Sequence, residues 1–250
     1  MNQRPCTIDL NCDLGEGGQH DEMIMPLITS ANIACGGHAG DIQSIQETIS
    51  LARCHATAIG SHPGHADPEH FGRRALPISP AAAAELVASQ VKAIAAQAGD
   101  DLHHVKLHGA LYHQVGSDEA LAAAVSRILK TDWPHLLLYA EGDSQLSRIA
   151  QEEGITVAFE AFADRRYTES GTLVGRQHGN AVITDKDDAA AQAHDIVIKK
   201  SIRATSNAYI PMDAHTLCIH GDGPTPVSFL YAIRDMLTTE GIALKAPVIH

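Results

Sequence analysis

The residue type and spacing with most to offer a reaction lie in residues 105–112 (VKLHGALY), where Lys106 and His108 sit two apart at the end of an apolar, β-prone run. On an extended strand both side chains would face the same way. A lysine inside such a run is costly unless it is paired or faces a polar cavity. Lys106 is therefore either an ion-paired interior residue or a cation held ready for a phosphate or a developing oxyanion. The same punctuation, an apolar run ending in small and ionisable residues, recurs at 9–16 (DLNCDLGE), 35–41 (CGGHAGD), 59–64 (IGSHPG), 162–167 (FADRRY) and 219–224 (IHGDGP).

Each of these segments offers its own chemistry. Asp9, Asn11 and Asp13 alternate, so a strand persisting through Asp13 aims all three to one side, where they can hold a hard cation or act as a base; a cap and turn network around the neighbouring glycines is the plainer alternative. His38 follows two glycines that let the backbone approach a ligand, whereas Asp41 reads as a helix cap. His62 ends the next run, and His65 and His70 beyond it read as solvated. After Asp164, the paired arginines Arg165 and Arg166 suit carboxylate or phosphate recognition through bidentate donors, unless one of them simply pairs with Asp164. His220 and Asp222, flanked by Gly221 and Gly223, suit acid/base work or metal ligation. Most other histidines, His103, His104 and His113 among them, are expected on loops or helix faces.

Side chains that recur where buried strands emerge can converge on one mouth, which is how a β/α barrel assembles its chemistry. Seven β-prone runs are legible, at 6–11, 31–35, 57–60, 104–108, 136–139, 155–159 and 216–220. Helical patterns separate them: one capped by Asp41 with Ile42, Ile45, Ile49 and Ala52 on a face, one opened by Ser79-Pro80 and stopped at Gly99, and one from Thr225-Pro226 to Gly241. Alternation of this kind implies a parallel sheet buried on both faces. Polar signatures all along the chain, rather than at one switch point, favour a distorted seven-stranded β/α barrel over an open doubly wound sheet. Residues 65–78 are expected to be a long polar loop and 165–184 a hairpin or lid.

The 250-residue length suits one domain spanning 1–250, and no linker divides it. A net charge of −12 with scattered Lys and Arg argues against nucleic acid or an anionic membrane as partner. No signal-like start and no membrane-length apolar run is present, so a cytoplasmic location is expected. Five cysteines without a Cys-x-x-Cys pair argue for reduced thiols rather than a disulfide scaffold or thiolate zinc site. Phosphate-loop, dinucleotide, H-E-x-x-H and nucleophile-elbow motifs are all missing.

Taken together, residues 9–16, 29–41, 60–63, 71–74, 104–112, 162–167 and 220–224 resemble the LamB/YcsF family over nearly the whole chain. The resemblance implies an α/β fold, a barrel of the glycoside hydrolase and deacetylase type. It also implies a role as the A subunit of a bacterial ATP-dependent 5-oxoprolinase, which opens 5-oxo-L-proline to L-glutamate with two further subunits, ATP and Mg²⁺. ATP makes chemical sense, because a five-membered lactam is an unreactive amide and phosphorylating its carbonyl oxygen creates an electrophile for water. In that reading Asp13, His38, Lys106, His108 and His220 are catalytic, and Asn11, His62, Asp164, Arg165 and Asp222 bind substrate or phosphate. Gly37, His65 and Leu107 stand where the family pattern has an aromatic, a tyrosine and a proline. Likeness to metal-dependent deacetylases keeps an ATP-independent amide hydrolase open, with Asp13, His38 and His108 around a divalent ion. A non-catalytic subunit that binds 5-oxoproline is the third alternative.

Overall fold

The computed structural model describes residues 7–221 and 225–248, built around a closed parallel barrel. In chain order the elements are β1 (Thr7–Leu14), α1 (Asp21–Ile24), β2 (Ser30–Ala34), α2 (Ile42–His55), β3 (Ala58–His62), α3 (Pro80–Ala98), β4 (Leu102–Lys106), α4 (Gly109–Ser117), α5 (Glu119–Asp132), β5 (Leu137–Ala140), α6 (Gln145–Glu152), β6 (Val157–Phe162), α7 (Lys186–Val197), β7 (Ser201–Arg203), β8 (Tyr209–Pro211), β9 (Thr216–His220), α8 (Pro226–Thr239) and β10 (Ala243–Leu244). Strands β1 to β6 pair in sequence order, β6 pairs β9, and β9 returns to β1 with Asp13 opposite His220, which closes a ring of seven. These are the seven runs expected from the sequence; Cys6, the first residue of the first run, lies outside the described residues. β10 pairs only with Thr7 and Ile8 at the start of β1.

Strand alternation sorts the side chains into two layers of opposite character. Ile8, Leu10, Cys12 and Leu14 belong to the main apolar core, together with Ile45 and Ile49 of α2, Val87, Val91 and Ile94 of α3, and Leu230 and Ile233 of α8. Asp9, Asn11 and Asp13 are equally buried but join a polar network with residues of the facing strands. Barrel interiors of this kind are ordinarily filled by branched apolar residues; here only Leu137, Tyr139 and Ala158 form a separate small apolar cluster. Gly60 makes room for one of the polar occupants, since a Cβ there would overlap the ring of His104.

The helices begin where their caps dictate. Asp41 accepts from the Ser44 N–H while the Ser44 hydroxyl accepts from the Asp41 N–H, a reciprocal cap on α2. Ser79 caps α3 ahead of Pro80, and Gly99 ends it. On α2 the buried stripe is Ile45, Thr48, Ile49 and Ala52, whereas Ile42, the first residue after the Asp41 cap, is 58 % exposed and stands outside it. The expected hairpin after β6 is present: Arg165 pairs with Val182 and Tyr167 with Leu173 in antiparallel bridges. The Tyr167 hydroxyl accepts from the Phe162 N–H, which ties that hairpin to the barrel rim.

Candidate active site

Lys106 emerges from the C-terminal end of β4 into the barrel and is 2 % exposed. Its Nζ lies 2.8 Å from Asp13 Oδ1, 2.9 Å from Glu160 Oε1 and 3.0 Å from Cys218 Sγ. Burial alone would push the ammonium down, but Asp13 and Glu160 hold its pKa well above the usual lysine value. Burial likewise pushes Asp13 up, and His62 and Lys106 overcome it and hold the carboxyl well below the usual range. Asn11 and Asn32 complete the arrangement: Asn11 Nδ2 donates to Glu160 Oε1 at 3.0 Å, and Asn32 Nδ2 donates to Asp13 Oδ1 at 2.8 Å. A permanently charged lysine on rigid strands can stabilise a developing oxyanion or phosphoryl oxygen with little reorganisation.

Beside this ion pair stand Glu16, His38, His62 and His108, from the ends of β1, β2, β3 and β4. His62 Nδ1 donates to the Lys106 carbonyl at 2.9 Å, and His108 Nε2 donates to the Phe71 carbonyl at 2.8 Å. Those bonds leave His62 Nε2 and His108 Nδ1 as the free nitrogens, and they meet at 2.9 Å. His38 stacks face to face on His108 with ring centroids 3.6 Å apart, and its Nε2 lies 3.0 Å from Glu16 Oε1. Burial holds both His38 and His108 below the usual histidine range, so both are neutral at physiological pH. A second group, Asp13 with Cys218 and His220, also has metal-ligand geometry. There the ammonium of Lys106 already occupies the electrostatic place of a cation.

His220 caps the opposite wall, its Nδ1 bonded to Asp164 Oδ2 at 2.9 Å while its backbone N–H donates to the same carboxylate. Asp164 is therefore an orienting group, held below the usual carboxylate range against its burial by its contacts with His220, and it does not pair with Arg165. The buried Arg165 guanidinium donates to the Val174 and Ala181 carbonyls and so anchors the hairpin. Above these residues opens a cavity of about 440 Å³, with Asp13, His62, Lys106, His108 and His220 at its base and Arg73, Arg165 and Arg176 on its wall.

Asp13, His38, His62, Lys106, His108 and His220 therefore converge as expected. Asn11 does not line the cavity and serves the ion pair from below. Asp222 lies outside the described residues. β4 ends at Lys106, so His108 reaches the mouth as the residue before α4 rather than as part of the strand. The carboxylate grouped with His38 and His108 is Glu16 rather than Asp13, whose Oδ2 instead lies 3.3 Å from His62 Nε2. His65 and His104 are buried and bonded, to Gln114 and Asn32 respectively, rather than solvated. Glu16 and Glu160 were missed; Glu160 was discoverable as the lone charge in the run VAFEAF, and Glu16 as the last residue of the opening signature. At Gly37 the space an aromatic would need is filled by Gln90, whose amide donates to the Gly64 carbonyl and accepts from the Gly64 N–H.

Comparison with known proteins places this geometry. The LamB/YcsF family matches residues 8–249. The A subunit of a 5-oxoprolinase from Tolumonas auensis is 41 % identical over 247 residues, covering 96 % of this chain and 98 % of its own. The crystal structure of a lactam utilization protein from Thermus thermophilus superposes with a TM-score of 0.90 at 36 % identity, covering 96 % of this chain and all of that one. The catalytic domain of a peptidoglycan N-acetylglucosamine deacetylase from Eubacterium rectale shares the fold at a TM-score of 0.53 and 9 % identity, covering 99 % of this chain and 91 % of that one.

Proposed function

The chain belongs to the LamB/YcsF family, and from that premise we propose that it is the A subunit of an ATP-dependent 5-oxoprolinase, a hydrolase that opens the lactam of 5-oxo-L-proline to L-glutamate in company with two further subunits. The observation that carries this reading is the buried Lys106, held as a cation by Asp13 and Glu160 at the base of a cavity walled by three arginines. A lactam that carries its own carboxylate, and a phosphoryl group transferred to its carbonyl oxygen, both present anionic oxygens. Such oxygens are what fixed ammonium and guanidinium groups recognise. ATP, as co-substrate with Mg²⁺, supplies the phosphoryl group that makes the amide carbonyl electrophilic.

The chain's own residues divide the remaining work. Lys106 faces the developing negative charge, and Asp13 fixes its position. Arg176, on the exposed face of the hairpin, reaches over the mouth toward a substrate carboxylate, while Arg165 holds the hairpin in place. His220, oriented by Asp164, is placed to move a proton to or from the lactam nitrogen. Glutamate release from 5-oxoproline, assayed with and without partner subunits, ATP and Mg²⁺, tests the reading. It requires turnover only in the complete mixture and none with Lys106→Met. A second reading, amide hydrolysis without ATP, is favoured by the Glu16–His38–His62–His108 group, and turnover in the ATP-free arm would select it.

A further inference from the structure

We infer that Glu16, His38, His62 and His108 form a binding site for one divalent first-row transition ion, distinct from the Lys106 centre beside it. The inference deepens the hydrolase reading by naming the ion its mouth takes, and it needs neither 5-oxoproline nor ATP to be tested. Its basis is a contact that the four residues cannot make by themselves. Backbone carbonyls fix the protons of both rings on their far nitrogens, so lone pairs face each other across 2.9 Å between His62 Nε2 and His108 Nδ1. Two facing lone pairs repel, and only a positive particle between them turns the contact attractive.

A proton would satisfy the pair alone, but the surroundings are built for more charge. Glu16 Oε1 lies 3.4 Å from His108 Nδ1, 3.9 Å from His62 Nε2 and 3.0 Å from His38 Nε2, so the carboxylate is shared by all three rings. The single charge of Lys106 is already engaged by two carboxylates, Asp13 and Glu160, and is not directed at Glu16. His38 also keeps a buried Nδ1 without a partner. The separations among these ligand atoms, 2.9, 3.0, 3.4 and 3.9 Å, bracket the about 3.3–3.6 Å that separates neighbouring ligands of a tetrahedral ion with bonds of about 2.0–2.2 Å.

The donor set selects the class of ion. Three imidazole nitrogens and one carboxylate oxygen suit Zn²⁺, Co²⁺ or Fe²⁺, whereas Mg²⁺ prefers oxygen ligands and retained water. The backbone bonds to Lys106 and Phe71 supply the outer contacts that orient metal-binding imidazoles.

The test is metal binding by the full chain after chelator treatment, titrated separately with Zn²⁺, Co²⁺ and Mg²⁺ and followed by bound-metal analysis, Co²⁺ visible absorption and thermal unfolding. The expected result is about one Zn²⁺ or Co²⁺ per chain, intense visible bands for Co²⁺, and a raised Tm. His62→Ala and His108→Ala should weaken binding by at least about a hundredfold, and Glu16→Gln, at the half-buried rim, serves if either alanine variant fails to fold. His103→Asn, remote from the mouth, should bind as the wild type does. Preference for Mg²⁺, no retained ion, or equal binding by wild type and all three mouth variants would overturn the inference. Loss of oxoprolinase turnover with metal binding intact would instead count against the proposed reaction alone.

Discussion

Two pairs of histidines meet nitrogen to nitrogen in this molecule, and they have opposite surroundings. At the mouth, His62 and His108 touch at 2.9 Å, with Asp13 and Glu16 beside them and a cavity above. Below them, His103 and His104 touch at 3.1 Å, their outer nitrogens bonded to the Pro247 carbonyl and to Asn32 Oδ1. No carboxylate in the described residues bonds either ring of the lower pair, and His104 stacks on Tyr139 with centroids 4.0 Å apart. Burial, with His103 and Lys106 beside it, pushes His104 well below the usual histidine range. One contact geometry thus serves two purposes: the lower pair, with no carboxylate at its rings, is a packing device, and the upper pair, amid carboxylates, is a receptacle for a cation.

The comparison breaks most decisively at Lys106. Lys106→Met should reduce ATP-coupled turnover by about a thousandfold or more, and should destabilise the fold by about 3–5 kcal/mol by leaving Asp13 and Glu160 unpaired. Steady-state kinetics and thermal unfolding of the same preparation check both. Next comes a matched pair of variants. His62→Gln should lower kcat by about a hundredfold with little change in the Tm of the metal-free protein, while His104→Gln should lower stability by about 1–3 kcal/mol through its lost bond and stacking yet keep turnover within a few-fold. The opposite pattern would mean that the lower pair, and not the upper, is the functional one.

Gly60→Ala tests how tightly the lower pair is packed, because the new methyl group would displace His104. A destabilisation of about 1–3 kcal/mol, read from denaturant unfolding, is expected. The smallest effect contrasts an acid buried with a partner, Asp13, and one buried without. Glu141 has an unpartnered oxygen, and burial with the charge of Glu160 pushes its carboxyl up to about 7. The folded state then holds a proton that the unfolded chain has lost, so the stability it adds is complete below about pH 4.5 and is lost as pH rises through 7. Glu141→Gln should flatten Tm against pH between about 5 and 8.

Much of the barrel was legible because buried parallel strands are apolar runs and their ends are marked by glycine and ionisable residues. All seven strands follow from that signal, as do the caps at Asp41 and Ser79. What escaped were charges whose partners lie on distant strands. Glu160 is separated from Lys106 by 54 positions and one intervening strand, so its role depends on the pairing and curvature of β4, β5 and β6, which no local pattern encodes. His104 was misjudged because the polar filling of this barrel runs against the rule that interiors are apolar, and only the gap left by Gly60 accommodates it. His65 looked solvated because its neighbours are polar, yet tertiary packing against Gln114 buries it.

Gln90 and Gly37 have a consequence for how this chain can change over generations. Both amide atoms of Gln90 are bonded to Gly64, in the turn after His62, and its side chain fills the space beside Gly37. Neither position can drift alone. A larger residue at 37 is deleterious while Gln90 remains, and a smaller residue at 90 removes both bonds to Gly64 and leaves a gap beside Gly37 until 37 enlarges. The two sites should therefore be inherited as a block, with lineages carrying an aromatic at 37 also carrying a shorter side chain at 90.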